Sequence, residues 1–397
     1  MPREGLVESF EAVVVGGGPG GCLAAIGLAR LGMRVAIVDR GPLGRDKCCG
    51  HCLHPSALRL LARQDLLEPI LAVASGETVE VASHDLLGRR SASVPLKFEG
   101  VSGGLQVSRD RLDRRLWELA CAEGVEGVRP AAATLEAIDG DHATLRIDPS
   151  GDSGAEPRRW RAPLVVAADG LGSGIARQAG LAGRVAAGRG FGFAAKLLDA
   201  EAVVEALAIK PGLIQGLTGP GGCLGLVCEQ PTDGPIQVHA AALVRPGAES
   251  RSPQGFVRSM LGAFGGAEIR LKSTLAAGPM PWRPQLVAKG PIALVGDAAG
   301  YSSPITGEGM LRAFESAIGL VEAVEQHRGW TADAAAVHLI RHRRVAWANR
   351  RVAFVERAWL STELFAIGCG VMRVAQHLPN APRKRFERLV VGWVRGR

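Results

Sequence analysis

The chain has 397 residues, 47% of them hydrophobic and 22% charged, with a net charge of +8 at neutral pH. Its length predicts two intimately joined domains, and its balance excludes a disordered chain. Glu4, Glu8 and Glu11 interrupt what would be an apolar leader, and the late apolar patch Leu364 to Met372 is too short to span a bilayer. Eight cysteines without a secretory pattern predict a reduced, cytoplasmic setting.

Ala12 to Val15 reads as a buried strand, Cys22 to Leu31 as an Ala/Leu-rich helix, and Arg34 to Val38 as a second strand. Between the first strand and the helix lies Gly16-x-Gly18-x-x-Gly21, and 18 residues past Gly21 the second strand ends in Asp39, followed by Arg40. Strand, tight turn, helix, strand and acid are the parts a dinucleotide site needs. Gly16 allows the turn, Gly18 lets the backbone approach a pyrophosphate, and Gly21 lets helix and strand pack closely. The helix N-terminus faces the phosphates, and Asp39 accepts from ribose hydroxyls, with Arg40 beside it.

Lys47-Cys48-Cys49-Gly50-His51-Cys52-Leu53-His54 is the most unusual local sequence. Cys49-x-x-Cys52 has the spacing of a redox dithiol, but no second glycine fingerprint opens a helix, as a flavin disulfide reductase would need for its nicotinamide. Cys48, Cys49, Cys52, His51 and His54 offer metal-ligand chemistry, but the distant second pair of a structural zinc site is missing, so no metal is expected. Further on, Val107 to Asp113 opens a helix carrying Arg109, running through Leu116, Leu119 and Ala120. Leu164 to Ala168 is a third buried strand, closed by Asp169-Gly170. Ile292 to Val295 is a fourth, closed by Gly296-Asp297. After it come Gly300, Pro304, Thr306, Gly307, Glu308, Gly309 and Met310, then a helix with Leu311, Phe314, Ile318 and Val321 on one face.

These three ordered motifs resemble the FAD-dependent family that includes para-hydroxybenzoate hydroxylase-type monooxygenases, geranylgeranyl reductases and flavin halogenases, over roughly residues 11 to 325. The resemblance implies that Asp297 binds the ribityl chain, that Gly307, Gly309 and Met310 present backbone N–H groups to the flavin, and that Asp169 and Arg109 stand near the pyrophosphate. It also implies that Gly300 and Pro304 wall the flavin ring. Lys47, Cys49 and Gly50, followed by Pro55-Ser56-Ala57-Leu58, resemble the Lys-x-Cys-Gly element of the reductases, which lies close to the ring; Cys49 is the cysteine carried over. Asp113 is expected to brace the structure.

The expected fold is α/β: a discontinuous Rossmann-like FAD-binding domain (1–75, 101–185, 280–330), an antiparallel-sheet substrate domain (76–100, 186–279) and a C-terminal helical region (331–397). The last carries Arg341, Arg343, Arg344, Arg350, Arg351 and Arg357, and then Arg383 to Arg397 interleaved with Phe386 and Trp393. Such a segment suits either a solvated cap or peripheral contact with an anionic membrane; no nucleic-acid module is present. The expected function is an NADPH- or NADH-linked oxidoreductase acting on a lipophilic small molecule. A monooxygenase working through a flavin hydroperoxide comes first, because apolar flavin pockets open to oxygen more often hydroxylate and the reductases' Tyr-x-Trp-x-Phe-Pro motif is missing; the halogenases' Trp-x-Trp-x-Ile-Pro motif is missing too. Double-bond reduction is the alternative, and disulfide exchange through Cys49 and Cys52 a lesser one.

Overall fold

The computed structural model describes residues 7–359 apart from 79, 85–89, 96, 99–100, 151–155, 184–189, 199, 207, 220–221, 232–233, 245–251, 264–269, 279–283, 285 and 305–306. At its centre is a six-stranded sheet in the order Glu126–Val128, Val35–Val38, Ala12–Val15, Leu164–Ala167, Ile292–Leu294 and Ala288–Lys289. The first five strands are parallel, and the last pairs antiparallel at the edge.

The inner strands are continuous apolar runs because both faces are buried. Ala12 and Val14, Val35 and Ile37, and Leu164 and Val166 point into one core, shared with helices Pro19–Arg30, Arg109–Ala122 and Gly309–Gln326. Val13 and Val15, Ala36 and Val38, and Val165 and Ala167 point into a second core. That core is closed by a four-stranded sheet built from Val7–Ser9, Arg158–Ala162, His142–Pro149 and Ala131–Asp139, with Trp160 fully buried in it. The alternation of the strand thus serves two layers at once.

A separate, mostly antiparallel sheet of seven strands runs in the order Leu271–Ala277, Phe191–Leu197, Gln237–Val244, Gly222–Glu229, Leu213–Gly219, Glu80–His84 and Arg90–Pro95. Helices Ala200–Ala206 and Pro253–Ala263 cover one of its faces, where Phe193, Leu226, Val238 and Ala242 meet Val203, Val257 and Leu261. Residues of opposite parity face the other way: Leu243 packs with Leu171 and Tyr301 of the half built on the six-stranded sheet. Strand Gly76–Thr78 joins neither large sheet. It pairs with Gly104–Gln106, which in turn holds Cys52–Leu53.

Helix Ala332–Trp359 packs on Gly309–Gln326 and carries the exposed Arg343, Arg344 and Arg350. The more distal basic residues, from Arg383 on, lie outside the described residues, as do Thr306 and the Cys369 thiol. Among the described residues no helix is long and apolar enough to cross a membrane.

His338 and His342 anchor that helix. His338 Nε2 donates to the carbonyl of Leu294 at 3.1 Å, and His342 bonds the backbone at Ala299. Burial pushes both imidazoles down to about 4, with each backbone contact opposing it. An unfolded chain protonates them near 6.5, so between those values the unfolded state binds more protons. Their contribution is complete above about 6.5 and is lost as the pH falls toward 4. The urea midpoint should therefore drop between pH 7 and pH 5, and His338→Gln with His342→Gln should flatten that drop.

Candidate cofactor and substrate site

The glycine turn follows from close backbone approach. Gly16 sits at φ +112°, and a Cβ there would lie 2.3 Å from the carbonyl oxygen of Ala168. A Cβ on Gly21 would lie 1.9 Å from the carbonyl oxygen of Gly16, so no other residue fits without parting helix from strand. Gly18 caps helix Pro19–Arg30 with extended backbone and no side-chain bond, which leaves the first-turn N–H groups free to face an anion. Lys47 Nζ is the nearest atom to where a Gly18 Cβ would stand, at 3.7 Å.

Asp39 is 5% exposed at the end of its strand. Its carboxylate accepts from Gly17 N at 2.7 Å and from Gly41 N at 2.8 Å, tying the glycine turn to the second strand. Arg129, 90 residues away, completes the corner. It reaches Asp39 Oδ1 at 3.4 Å, donates to the carbonyls of Gly41 and Pro42, and lies over Trp117 at 4.5 Å. No motif marks Arg129, and sequence reasoning missed it. Arg40 is exposed beside this corner.

Arg109 and Asp113 form a two-pronged ion pair of 2.9 and 3.0 Å across one helical turn, and Lys47 Nζ meets the same carboxylate at 2.6 Å. Burial opposes the charge on Asp113, but the guanidinium and the ammonium outweigh it and hold its carboxyl below the ordinary range. Arg109 also bonds Cys49. The expected bracing role of Asp113 therefore reaches further than its own helix: it holds both cations that stand over the glycine turn and the cysteine loop.

Asp169 organises the third motif. It accepts from Ser173 Oγ at 2.5 Å, Gly174 N at 2.6 Å and Ile175 N at 3.2 Å, fixing the turn before helix Gly174–Gln178. Asp297 follows strand Ile292–Leu294 in a short turn of 3-10 helix. Its side chain is open to solvent, yet protein surrounds it closely. That enclosure pushes the carboxyl up to about 6, against the pull of Arg109. Beyond it, Gly300 and Gly307 have φ of +145° and +65°, and helix Gly309–Gln326 begins at Gly309 behind the buried Glu308. Among the described residues, chain neighbours aside, nothing lies within 4 Å of where a Cβ would stand on Gly300, Gly307 or Gly309. Pro304 is exposed and its carbonyl accepts from Gly307 N at 3.0 Å, while Met310 is buried. The donors and spaces fit a dinucleotide: an uncapped helix end, a turn without side chains, two cations and an acid at each of two strand ends.

The cysteine cluster does not converge on one point. Cys52 lies in a strand beneath Thr78, and burial pushes its thiol up to about 11; burial pushes Cys48 up to about 12. His54 caps helix Pro55–Arg63 by accepting from Ser56 N. The group that does converge among the described residues is His51, Glu229 and His239. His239 Nε2 donates to Glu229 Oε2 at 2.9 Å, and Ser75 Oγ donates to the other oxygen at 2.5 Å. Sequence reasoning passed over Glu229 and His239, although a charged and a titratable residue inside apolar strands was a readable signal. A small indentation beside them is lined by Asp46, Lys47, Cys49 and His51 of the loop and by Ala194, Lys196, His239 and Leu275 of the sheet.

Asp113→Asn removes the buried charge that holds two partly buried cations. The folded state should lose about 3–5 kcal/mol, read by denaturant unfolding, because breaking a buried pair strands its partners.

The comparisons agree with this geometry. The family described as FAD binding domain matches residues 9–354. Digeranylgeranylglycerophospholipid reductase of Methanocella arvoryzae is 26% identical over 320 residues, 78% of this chain and 76% of the relative. Squalene monooxygenase of Mus musculus is 24% identical over 318 residues, 77% of this chain and 53% of that longer protein. The crystal structure of p-nitrophenol 4-monooxygenase PnpA from Pseudomonas putida DLL-E4 superposes with a TM-score of 0.80 at 20% identity, covering 98% of this chain and all of that one. The shared fold, the glycine turn with its strand-end acids and a family match over most of the chain lead to one assignment: the protein belongs to the FAD binding domain family of FAD-dependent oxidoreductases.

Proposed function

We propose that this protein is a monooxygenase that takes electrons from NADPH or NADH and inserts oxygen into a lipophilic small molecule. The observation that carries the reading is that the residues over the glycine turn and an indentation under the seven-stranded sheet meet at one loop. Lys47 and Cys49 line that indentation, and the same two residues touch Asp113 and Arg109 over the glycine turn. Gly300, Gly307 and Gly309 carry no side chain that would keep a flat ring from approaching their backbone.

Bound FAD supplies the two-electron chemistry, and the chain supplies position, charge and exclusion of water. In this reading the N–H groups behind Gly18 hold the pyrophosphate, with Lys47 and Arg109 balancing its charge and Asp169 keeping the neighbouring turn in shape. The lone pairs that Asp39 has left accept from the ribose hydroxyls, with Arg40 at the rim. Asp297 accepts from the ribityl hydroxyls, and the N–H groups from Gly307 to Met310 meet the pyrimidine edge at a helix N-terminus, where negative charge is stabilised. Pro304 and Gly300 form the adjoining wall.

A second reading, reduction of a carbon–carbon double bond, is favoured by Lys47 and Cys49 of the Lys47-x-Cys49-Gly50 element lining this indentation and by kinship with the Methanocella reductase. Both relatives are named after isoprenoid lipids, so such lipids are the first compounds to try. The exposed Arg343, Arg344 and Arg350 would suit a membrane surface that holds them.

Under labelled oxygen gas with NADPH, the product should gain one labelled oxygen atom. A gain of two hydrogens without oxygen would overturn the monooxygenase reading in favour of the reductase. Asp297→Ala should weaken FAD roughly tenfold to hundredfold, since a hydrogen bond to a charged group contributes about 1.5–3 kcal/mol. Flavin occupancy after dialysis measures it.

A further inference from the structure

Helix Ala332–Trp359 presents two unlike faces. Ala334, His338, His342, Ala348 and Asn349 point inward and are buried, and the two histidines fix the helix to the backbone at Leu294 and Ala299. Ile340, Arg343, Arg344, Trp347 and Arg350 point outward and are exposed. With about 3.6 residues per turn and a rise of about 1.5 Å per residue, Ile340 and Trp347 fall on one line along the helix, roughly 10 Å apart. Arg344 flanks that line on one side, and Arg343 and Arg350 flank it on the other. Ile340, at 59%, is the most exposed large apolar side chain among the described residues, and Trp347 is 40% exposed. The others, Val7, Leu31, Leu71, Ile138, Phe191 and Leu286, are scattered singly over separate elements and loops. Isolated apolar residues are ordinary on a surface, whereas two on one crest mark a contact.

The charge on this face has one sign. No aspartate or glutamate occurs between Asp333 and Glu356, while the same stretch holds Arg341, Arg343, Arg344, Arg350 and Arg351. Arg341, at the margin, pairs with Glu322 of the neighbouring helix, and the guanidinium of Arg351 lies 3.1 Å over the Trp347 ring. Arginines draw an anionic surface, and an indole, apolar in body and polar at its N–H, is best placed at the headgroup level of a bilayer. A solvated cap needs the charges and not the exposed rings. A nucleic acid would meet the charges and leave Ile340 with no apolar surface to cover it.

We propose that the outer face of helix Ala332–Trp359 docks on an anionic lipid bilayer, with Ile340 and Trp347 entering the headgroup region and Arg343, Arg344 and Arg350 meeting lipid phosphates. The inner histidines hold the helix to the strand and turn that bear Asp297 and Gly300, so the docked membrane lies about one helix diameter, roughly 10–12 Å, from that turn. A lipophilic substrate then has a short way to travel from the bilayer. The docking surface goes beyond the reaction itself and is the same whether the flavin adds oxygen or hydrogen.

The test spins the flavin-loaded full chain with vesicles of phosphatidylcholine, alone or mixed with an equal amount of phosphatidylglycerol. The protein should sediment with the mixed vesicles, stay in solution with the neutral ones, and bind less as salt is raised. Arg343→Glu with Arg350→Glu should weaken binding roughly twentyfold or more, since each arginine at an anionic surface is worth about fivefold. Trp347→Ala should weaken it roughly tenfold through the apolar area withdrawn. Arg146→Glu with Arg158→Glu, on the four-stranded sheet, makes the same change in net charge at two exposed sites and should leave binding nearly unchanged. All six positions are on the surface, so circular dichroism should show every variant folded. No binding to the mixed vesicles, an equal loss in the Arg146/Arg158 variant, or full binding in either helix variant would each overturn the proposal. So would a dimer, seen without vesicles, that Trp347→Ala dissociates, because the face would then belong to a second copy. Vesicle binding that depends on this face in a protein that adds no labelled oxygen would leave the docking surface standing and remove the monooxygenase reading alone.

Discussion

A Cβ atom on Gly21 would stand 1.9 Å from the carbonyl oxygen of Gly16 and 3.0 Å from the Cβ of Ala168, while one on Gly20 would stand 3.2 Å from the carbonyl oxygen of Ala313. The first helix is therefore pressed against its own strand, the neighbouring strand and the helix Gly309–Gln326 through positions that have no side chain. Three motifs separated by nearly the whole chain meet because of that contact. It aims the uncapped end of the first helix, brings Gly17 N to Asp39, and sets Asp169 and Asp297 at the ends of adjacent strands. Enlarging any one of these glycines would move all three motifs together.

The strands and helices that carry the motifs were readable because local pattern and tertiary role agree there. Ala12–Val15 is a strand as expected, and the helices at Pro19, Arg109 and Gly309 start within a few residues of their expected positions. What sequence could not supply is convergence. Arg129 reaches Asp39 across 90 residues, and Ser75 reaches Glu229 across 154. No period or spacing encodes such pairs, since they depend on which strands of two different sheets come to lie over one loop. The loop from Asp46 to His54 shows the same limit. Its residue types announce chemistry, yet only the fold separates a helix cap at His54, a buried thiol at Cys52 and a stacked ring at His51.

The two halves of the site handle buried charge in opposite ways. Near the glycine turn, one aspartate holds two permanent cations, so the net charge over the turn is positive and suits a pyrophosphate. Under the sheet, among the described residues, the Glu229 carboxylate is met by hydrogen bonds from Ser75 and His239 and by no lysine or arginine. Cys49, bonded to Arg109 and lining the indentation under the sheet, stands between the two arrangements.

The central sheet is woven from distant parts of the chain: Ala12–Val15 lies between Val35–Val38 and Leu164–Ala167, and Ile292–Leu294 closes the far side. During synthesis, at roughly 5–20 residues per second, the first strand waits tens of seconds for the last to emerge. Through that interval the edge of Leu164–Ala167, apolar on both faces, has no neighbour to cover it, and long-range parallel pairing is intrinsically slow. The strand that bears Asp297 is the last of the parallel strands to emerge, so the acids at the strand ends can stand side by side only late in synthesis. Truncated chains ending before residue 292 would present an open, sticky sheet edge in place of a smaller working domain.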